Sequence, residues 1–282
     1  MYKTRWADVE GWIVMFALLC LLPQPVLRSA DSASQGGRFR VPLRTQVQPF
    51  KGSSAWEAAR FEREFSTRET AIVICDMWEN HWCAGATRRV NELAHRMEPV
   101  LEACRTAGIL IVHAPSETME FYKDYPQRRV MQDLTPVTPP VSLGLTSPAL
   151  PIDDSDGGCD TPGDKEHQAW TRENPLLSIK PNDVISDKGE EIYSLLEQKG
   201  IKNLLIMGVH ANMCILNRTF AIKQMTNWGI TCVLVRDLTD AMYNPRSRPH
   251  VSHAEGTEMV IEHIEKYWCP TALSGDLVNA LK

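Results

Sequence analysis

The sequence has no excess of basic residues, no pair of cysteines two residues apart, no internal repeat and no low-complexity tract. Its net charge of −5 and pI of about 5.9 leave no basic footprint for nucleic acid. Eight cysteines are scattered over 282 residues without a repeated spacing. This is not the disulfide framework of a small domain. Nor is there an apolar run long enough to span a bilayer. The longest, residues 12–22, has eleven residues where a spanning helix needs about 20.

That short run has its own meaning. Lys3 and Arg5 precede it, Pro23 and Pro25 follow, and small residues run from Ser29 to Ser34. A basic start, a short apolar core and a small-residue exit predict a secretory signal peptide over residues 1–30. The protein is then exported, to a periplasm or the outside, with no stable membrane insertion once the signal is removed. An uncleaved anchor and a buried helix are the alternatives. Leu19 before Cys20 does not fit a lipoprotein cleavage site.

What is present is enough for one sizeable core, since 43% of the residues are apolar. Residues 31–66 are polar and irregular and read as an extended amino-terminal segment, with a short helix at 54–65. Regular alternation starts at residue 70. Ala71-Ile72-Val73-Ile74-Cys75 is an apolar strand ending in Asp76. Residues 88–107 carry Val90, Leu93, Met97, Val100, Leu101 and Cys104 on one helical face, with Gly108 as the stop. Ile109-Leu110-Ile111-Val112 is a second strand, ending in His113. Further strands are expected at 177–180, 204–207 and 231–235, with helices at 188–199, after Cys214 and at 254–267. Strands alternating with helices predict a three-layer α/β/α fold, a doubly wound, Rossmann-like parallel sheet of about six strands over residues 67–282.

Residues 114–176 interrupt this rhythm as a long insertion, with one short helix expected at 117–125. A loop this long in a compact domain usually carries function or moves. Within it, Asp153-Asp154-Ser155-Asp156-Gly157 lacks the ligand spacing and closing Glu of a calcium loop, so it reads as a solvated acidic turn.

The candidate chemistry gathers at strand ends. Residues 203–219 run from an apolar strand through Gly208 to Cys214, at the start of a new helical pattern. Parallel sheets place ligands at the edge where strands end. A helix amino terminus there favours thiolate over thiol. The plainer alternative is a small buried side chain. Cys75, Cys104 and Cys232 lie in apolar patterns and read as core. Asp76, Lys180 and Cys214 all stand at expected strand ends, where they can converge. Cys214 would attack an electrophilic carbon, Asp76 would take the thiol proton, and Lys180 would lower the thiol pKa. Taken alone, Asp76 is as well a loop carboxylate and Lys180 a solvated charge. A reactive thiol also fits poorly with an oxidising compartment.

Three stretches resemble the isochorismatase-like cysteine hydrolases, a family that includes nicotinamidases. They are Ile72-Val73-Ile74-Cys75-Asp76-Met77, Ile179-Lys180, and Gly208-Val209-His210-Ala211-Asn212-Met213-Cys214, in which the cysteine follows the glycine by six. The resemblance runs over residues 70–271. It implies a six-stranded parallel sheet and a catalytic triad of Cys214, Asp76 and Lys180. It also implies a cis peptide at Val209–His210 and an oxyanion hole from the N–H groups of His210 and Cys214. The Asp-x-His metal pair of nicotinamidases is missing: the matching stretch is His113-Ala114-Pro115-Ser116. No metal and no cofactor are therefore expected. Trp78, His81, Trp82, His113 and Asn212 are the expected substrate-binding residues, with the tryptophans as an apolar wall. The function implied is hydrolysis of an amide or ureide C–N bond in a small molecule through a thioester. Vinyl-ether hydrolysis and a non-catalytic binding protein on the same fold are the alternatives. A homo-oligomer is compatible with either.

Overall fold

The computed structural model describes residues 37–282. The signal expected over residues 1–30 lies outside the described residues. The chain begins with an antiparallel pair, β1 (Arg38–Val47) and β2 (Glu57–Ser66). Then come β3 (Thr70–Cys75), α1 (Ala84–Thr106) and β4 (Leu110–Ala114). The insertion holds α2 (Met119–Tyr122) and α3 (Pro126–Gln132). After it run β5 (Val184–Ile185), α4 (Gly189–Lys199), β6 (Asn203–Val209), α5 (Cys214–Asn217), α6 (Ile222–Asn227) and β7 (Thr231–Asp240). The chain closes with α7 (His253–Tyr267), β8 (Thr271–Ala272) and α8 (Ser274–Ala280).

The strands form one sheet in the order β2-β1-β8-β7-β6-β3-β4-β5. Six of them, β8 to β5, are parallel. β1 joins β8 antiparallel and brings β2 with it. β3 and β6 are buried on both faces, so their side chains alternate between two cores. Ala71, Val73 and Cys75 pack with Leu204, Ile206, Ile192, Leu196, Met225, Val260 and Ile264, under α4, α6 and α7. Ile72 and Ile74 pack with Leu205, Met207, Leu93, Met97, Leu101 and Leu277, under α1 and α8.

Several expectations are corrected. Residues 54–65 are not helical but form β2, and β1 precedes it. β1 reads Phe39, Val41 and Leu43 inward with Arg38, Arg40 and Pro42 outward, the period-two pattern of a strand with one dry face. No strand forms at 177–180; the edge strand is the two-residue β5, further on. The helix after Cys214 is broken into α5 and α6, because Arg218 is extended (φ −61°, ψ 150°). The five-residue step from Ile215 to Phe220 breaks the helical period there. Cys83 and Cys159 form a disulfide with Cα atoms 5.6 Å apart, where the scattered spacing gave no sign of a pairing. It ties the insertion to the start of α1.

The insertion also caps α1, which has no capping side chain of its own. Asp164 Oδ2 accepts from Ala84 N–H at 2.8 Å and Thr161 Oγ1 from Gly85 N–H at 2.9 Å. The acidic turn at 153–157 is held by protein donors: Asp156 takes Asn244 and Ser247, and Asp154 takes Asn212.

Candidate active site

β3 and β6 lie side by side, with Cys75 opposite Gly208, and both end at the same edge. Gly208 has φ +119°, and a Cβ there would stand 2.0 Å from the Cys75 carbonyl oxygen. Only glycine allows the two strand ends to run so close. Just beyond them, Asp76 (φ +48°) turns its carboxylate inward, and the Val209–His210 peptide is cis. The chain then reaches Cys214 at the start of α5.

Asp76 is fully buried, and both its oxygens are occupied. Ser116 N–H donates to Oδ1 at 2.8 Å and Arg218 Nε donates to Oδ2 at 2.9 Å. Burial raises the Asp76 pKa, opposed by the Arg218 charge and by hydrogen bonds from the Cys214 thiol and Ser116. Burial, and then the Asp76 charge, push the Cys214 thiol well above its ordinary value. The resting site is therefore a neutral thiol donating to a carboxylate that is held by a guanidinium. The lowered thiol pKa expected from a lysine and a helix amino terminus is not found. One turn of helix is too short to supply a large dipole, and the carboxylate beside the sulfur disfavours a second negative charge. The His210 backbone opposes part of the rise in the thiol pKa. The Cys214 N–H, first in its helix, is one of the amides a helix leaves without an internal acceptor.

Lys180 is not at this site. It lines a cleft with Thr70, Gly108, Ile109, Lys199 and Ile201, at the amino ends of β3, β4 and β6. β3 runs from that cleft, at Thr70, to Asp76 beyond its far end, and no ion pair or hydrogen bond joins Lys180 to Asp76 among the described residues. The cause is local: residues 177–180 are a loop, turned by the Lys180 N–H donating to Asp183 Oδ2 at 2.7 Å. The cation beside Asp76 is Arg218, which the sequence reading passed over. It follows Cys214 by four residues, one helical turn, and that spacing was the available signal. Its Nη1 and Nη2 each lie 3.2 Å from Glu117 Oε1.

Two of the five expected substrate residues do other work. His113 is buried between Glu173 (Nδ1 to Oε2, 2.6 Å) and Asp183 (Nε2 to Oδ2, 3.1 Å). Burial pulls its pKa down, but the two carboxylates win and raise it to about 9. Both ring nitrogens are used, so none is free for a ligand. Asn212 donates to Asp154 Oδ2 and the Met242 carbonyl and accepts from Met242 N–H. It fastens the loop before Cys214 to the end of β7.

Trp78, His81 and Trp82 lie on the loop after Asp76, and the insertion folds back along it. Asn174 N–H donates to the Met77 carbonyl and Glu79 N–H to the Arg172 carbonyl. This lays Trp170 on Trp78, with ring centroids 4.2 Å apart and planes 14° from parallel. His81 stacks on Trp170 at 5.6 Å, and His210 meets His81 edge-on at 5.1 Å. Trp82 lies 5.3 Å from His81. The row leads towards the reacting groups at both ends: Trp78 donates to the carbonyl of Ser116, whose N–H binds Asp76, and His210 acts on the Cys214 thiol through its backbone, not its ring. Burial lowers the pKa of His81 to about 4 and of His210 to about 3, so both rings are neutral. The buried His210 Nε2 and Trp170 Nε1 have no protein partner. Trp170 carries no local sequence signal, being 92 residues from Trp78.

No family model matches this sequence, and no curated protein matches it. Several solved structures are similar to it in fold. A cysteine hydrolase from Pseudomonas syringae pv. phaseolicola is 14% identical with a TM-score of 0.49, over 77% of this chain and 94% of that one. An isochorismatase family protein from Burkholderia thailandensis is 14% identical with a TM-score of 0.45, over 76% and 96%. A pyrazinamidase from Pyrococcus horikoshii, solved with zinc, is 16% identical with a TM-score of 0.41, over 73% and 99%. At these identities the chemistry of the present chain rests on its own side chains.

Proposed function

We propose that this protein is an isochorismatase-like cysteine hydrolase that cleaves the C–N bond of a small amide or ureide. The observation that supports this reading best is the trio of Cys214, Asp76 and Arg218 at the carboxyl edge of a parallel sheet. Asp76 accepts the thiol proton as the sulfur attacks the carbonyl carbon. The oxyanion that forms faces the N–H groups of His210 and Cys214. Collapse expels the amine, which takes the proton back from Asp76, and leaves a thioester on Cys214. Water then attacks the thioester and gives its proton to Asp76. The sulfur leaves and recovers that proton as the acid departs. Arg218 keeps Asp76 ionised and oriented through both halves.

The test is intact-protein mass spectrometry after brief exposure to a panel of primary amides and ureides. An acyl adduct on Cys214 that decays with product release supports the reading. Turnover of any of these substrates by the Cys214→Ala protein sinks it. We further infer export through the signal over residues 1–30. The Cys83–Cys159 disulfide supports this, because such bonds persist in oxidising compartments. Amino-terminal sequencing of exported protein is expected to start near Asp31.

A further inference from the structure

Eight buried side-chain polar atoms have no hydrogen-bond partner among the described residues, and four of them gather at the site: Arg89 Nη2, His210 Nε2, Trp170 Nε1 and Ser116 Oγ. Buried polar groups are nearly always paired, so four together need a partner that the protein itself does not supply. Arg89 says most about that partner. Its Nε donates to Asp240 at 2.8 Å and its Nη1 to Asp160 at 2.6 Å, which holds the guanidinium on two sides. The third nitrogen, Nη2, carries two N–H bonds that meet no acceptor. The Arg89 charge adds to burial in keeping His81 and His210 neutral, so the guanidinium stands close to both rings.

The histidines extend the same donor set. His81 Nδ1 accepts from Cys83 N–H at 3.1 Å, which leaves the proton of the neutral ring on Nε2. That N–H has no acceptor among the described residues. His210, four residues before Cys214, is 2% exposed and meets His81 edge-on at 5.1 Å. Trp170 Nε1, on the ring stacked against His81, can only donate. The neighbourhood of Cys214 is thus rich in unspent N–H groups, and what it lacks is an acceptor.

We propose that the substrate carries a second acyl oxygen besides the one at the scissile bond, and that Arg89 Nη2 and His81 Nε2 donate to it. This rests on Cys214 as the nucleophile. The class is an acylurea or the monoamide of a dicarboxylic acid, in which the amide carbonyl meets the sulfur and the other acyl group meets Arg89. A simple monoamide would leave the Arg89 and His81 donors unpaired and bind poorly.

Protection of Cys214 from iodoacetamide tests this without knowledge of the substrate. The probes are butyramide (one carbonyl), N-acetylurea (two carbonyls) and malonamate (a carbonyl and a carboxylate). The sulfur displaces iodide from the reagent, and peptide mass spectrometry follows the label; the other free cysteines among the described residues are buried. N-acetylurea or malonamate is expected to protect at a concentration at least about tenfold below that of butyramide. Which of the two does better tells a carbonyl from a carboxylate. Arg89→Lys, which keeps a charge but loses the fork, and His81→Phe, which keeps a ring but loses the N–H, are each expected to cut the advantage to about threefold or less. The wild-type ranking decides by itself should either variant fail to fold. Butyramide protecting as well as both others, no protection by any of the three, or an advantage unmoved by both substitutions overturns the proposal while leaving Cys214 as nucleophile. No labelling of Cys214 by iodoacetamide sinks the nucleophile itself.

Discussion

Arg218 Nε lies 2.9 Å from Asp76 Oδ2, and this pair fixes a carboxylate that is otherwise fully buried. An isolated buried carboxylate would take up a proton and lose its power as a base. With the guanidinium in place, and Ser116 N–H on the other oxygen, Asp76 can hold charge beside a thiol that keeps its proton. The geometry keeps the expected division between Cys214 as nucleophile and Asp76 as base, with Arg218 rather than Lys180 as the cation beside them. The sulfur stays neutral until a substrate arrives, and the base waits next to it.

Arg218→Met should therefore be damaging. Asp76 loses its cation, its pKa rises further, and turnover at neutral pH should fall by something like the 10²–10⁴-fold typical of a lost acid–base group. Arg218→Lys should restore part of it, since a point charge replaces a fork. Lys180→Met should leave the rate unchanged, because Lys180 lines the opposite edge of the sheet. Rates of Cys214 alkylation by iodoacetamide follow the same order if the reading is right. A large loss in Lys180→Met with none in Arg218→Met would reverse the assignment.

Stability should depend on pH through His113. Its folded-state pKa of about 9 lies above the ordinary 6.5, because Glu173 and Asp183 outweigh burial. Its pairing is then fully stabilising below pH 6.5 and is lost as pH rises through about 9. Burial raises the Glu173 pKa, opposed by the His113 charge, so the stability that Glu173 itself loses with rising pH is lost from its ordinary range upward, apart from the His113 step. The unfolding midpoint in urea should fall between pH 7 and 10. His113→Gln leaves two buried carboxylates without this cation and should cost about 3–5 kcal/mol at pH 7, with a flatter slope above it. An unchanged slope in the variant would place the titration elsewhere.

Much of this fold could be read from the chain because β3, β4 and β6 are buried on both faces. Such strands appear as unbroken apolar runs; Asp76 follows β3 directly, and Cys214 follows β6 after a four-residue turn. β1 was legible too, through Phe39, Val41 and Leu43, but its arginines made it look like a polar leader. Lys180 was misplaced because Leu177-Ser178-Ile179 mimics a strand, while the real edge strand has two residues and no pattern. Contacts made by the insertion left no local trace. Trp170 on Trp78 and Cys159 on Cys83 are products of how the long loop folds back.

That fold-back is pinned by the disulfide. Cys83→Ser with Cys159→Ser frees a loop of 76 residues, for which about 2–4 kcal/mol of stability is expected to be lost. The cleavage should also show where the loosening occurs. Trypsin should cut the reduced or doubly substituted protein at Lys165 well before the oxidised one, since Asp160, Thr161 and Asp164 then hold α1 by hydrogen bonds and one ion pair alone. Equal cutting rates would mean that these contacts suffice without the bond.

The sharpest prediction concerns Cys214 and Asp76 together. Cys214→Ala removes the sulfur from a partly buried position at the start of a one-turn helix, so folding should survive. Amide turnover should vanish, because Cys75, Cys104, Cys232 and Cys269 are buried and Cys83 is in the disulfide. Asp76→Asn keeps the shape but leaves the thiol without a base, and should cost about 10²–10⁴-fold. Its effect should be largest at neutral pH and small at high pH, where hydroxide itself can remove the thiol proton. In the wild type the rate should drop as pH falls through the Asp76 titration, above the ordinary carboxylate range because burial raises it. The double variant should be no worse than Cys214→Ala alone, since the two residues act on one proton and one bond. A pH–rate profile for wild type and Asp76→Asn decides it. If both lose activity at the same acidic pH, the base is some other group and Asp76 serves only to hold Arg218.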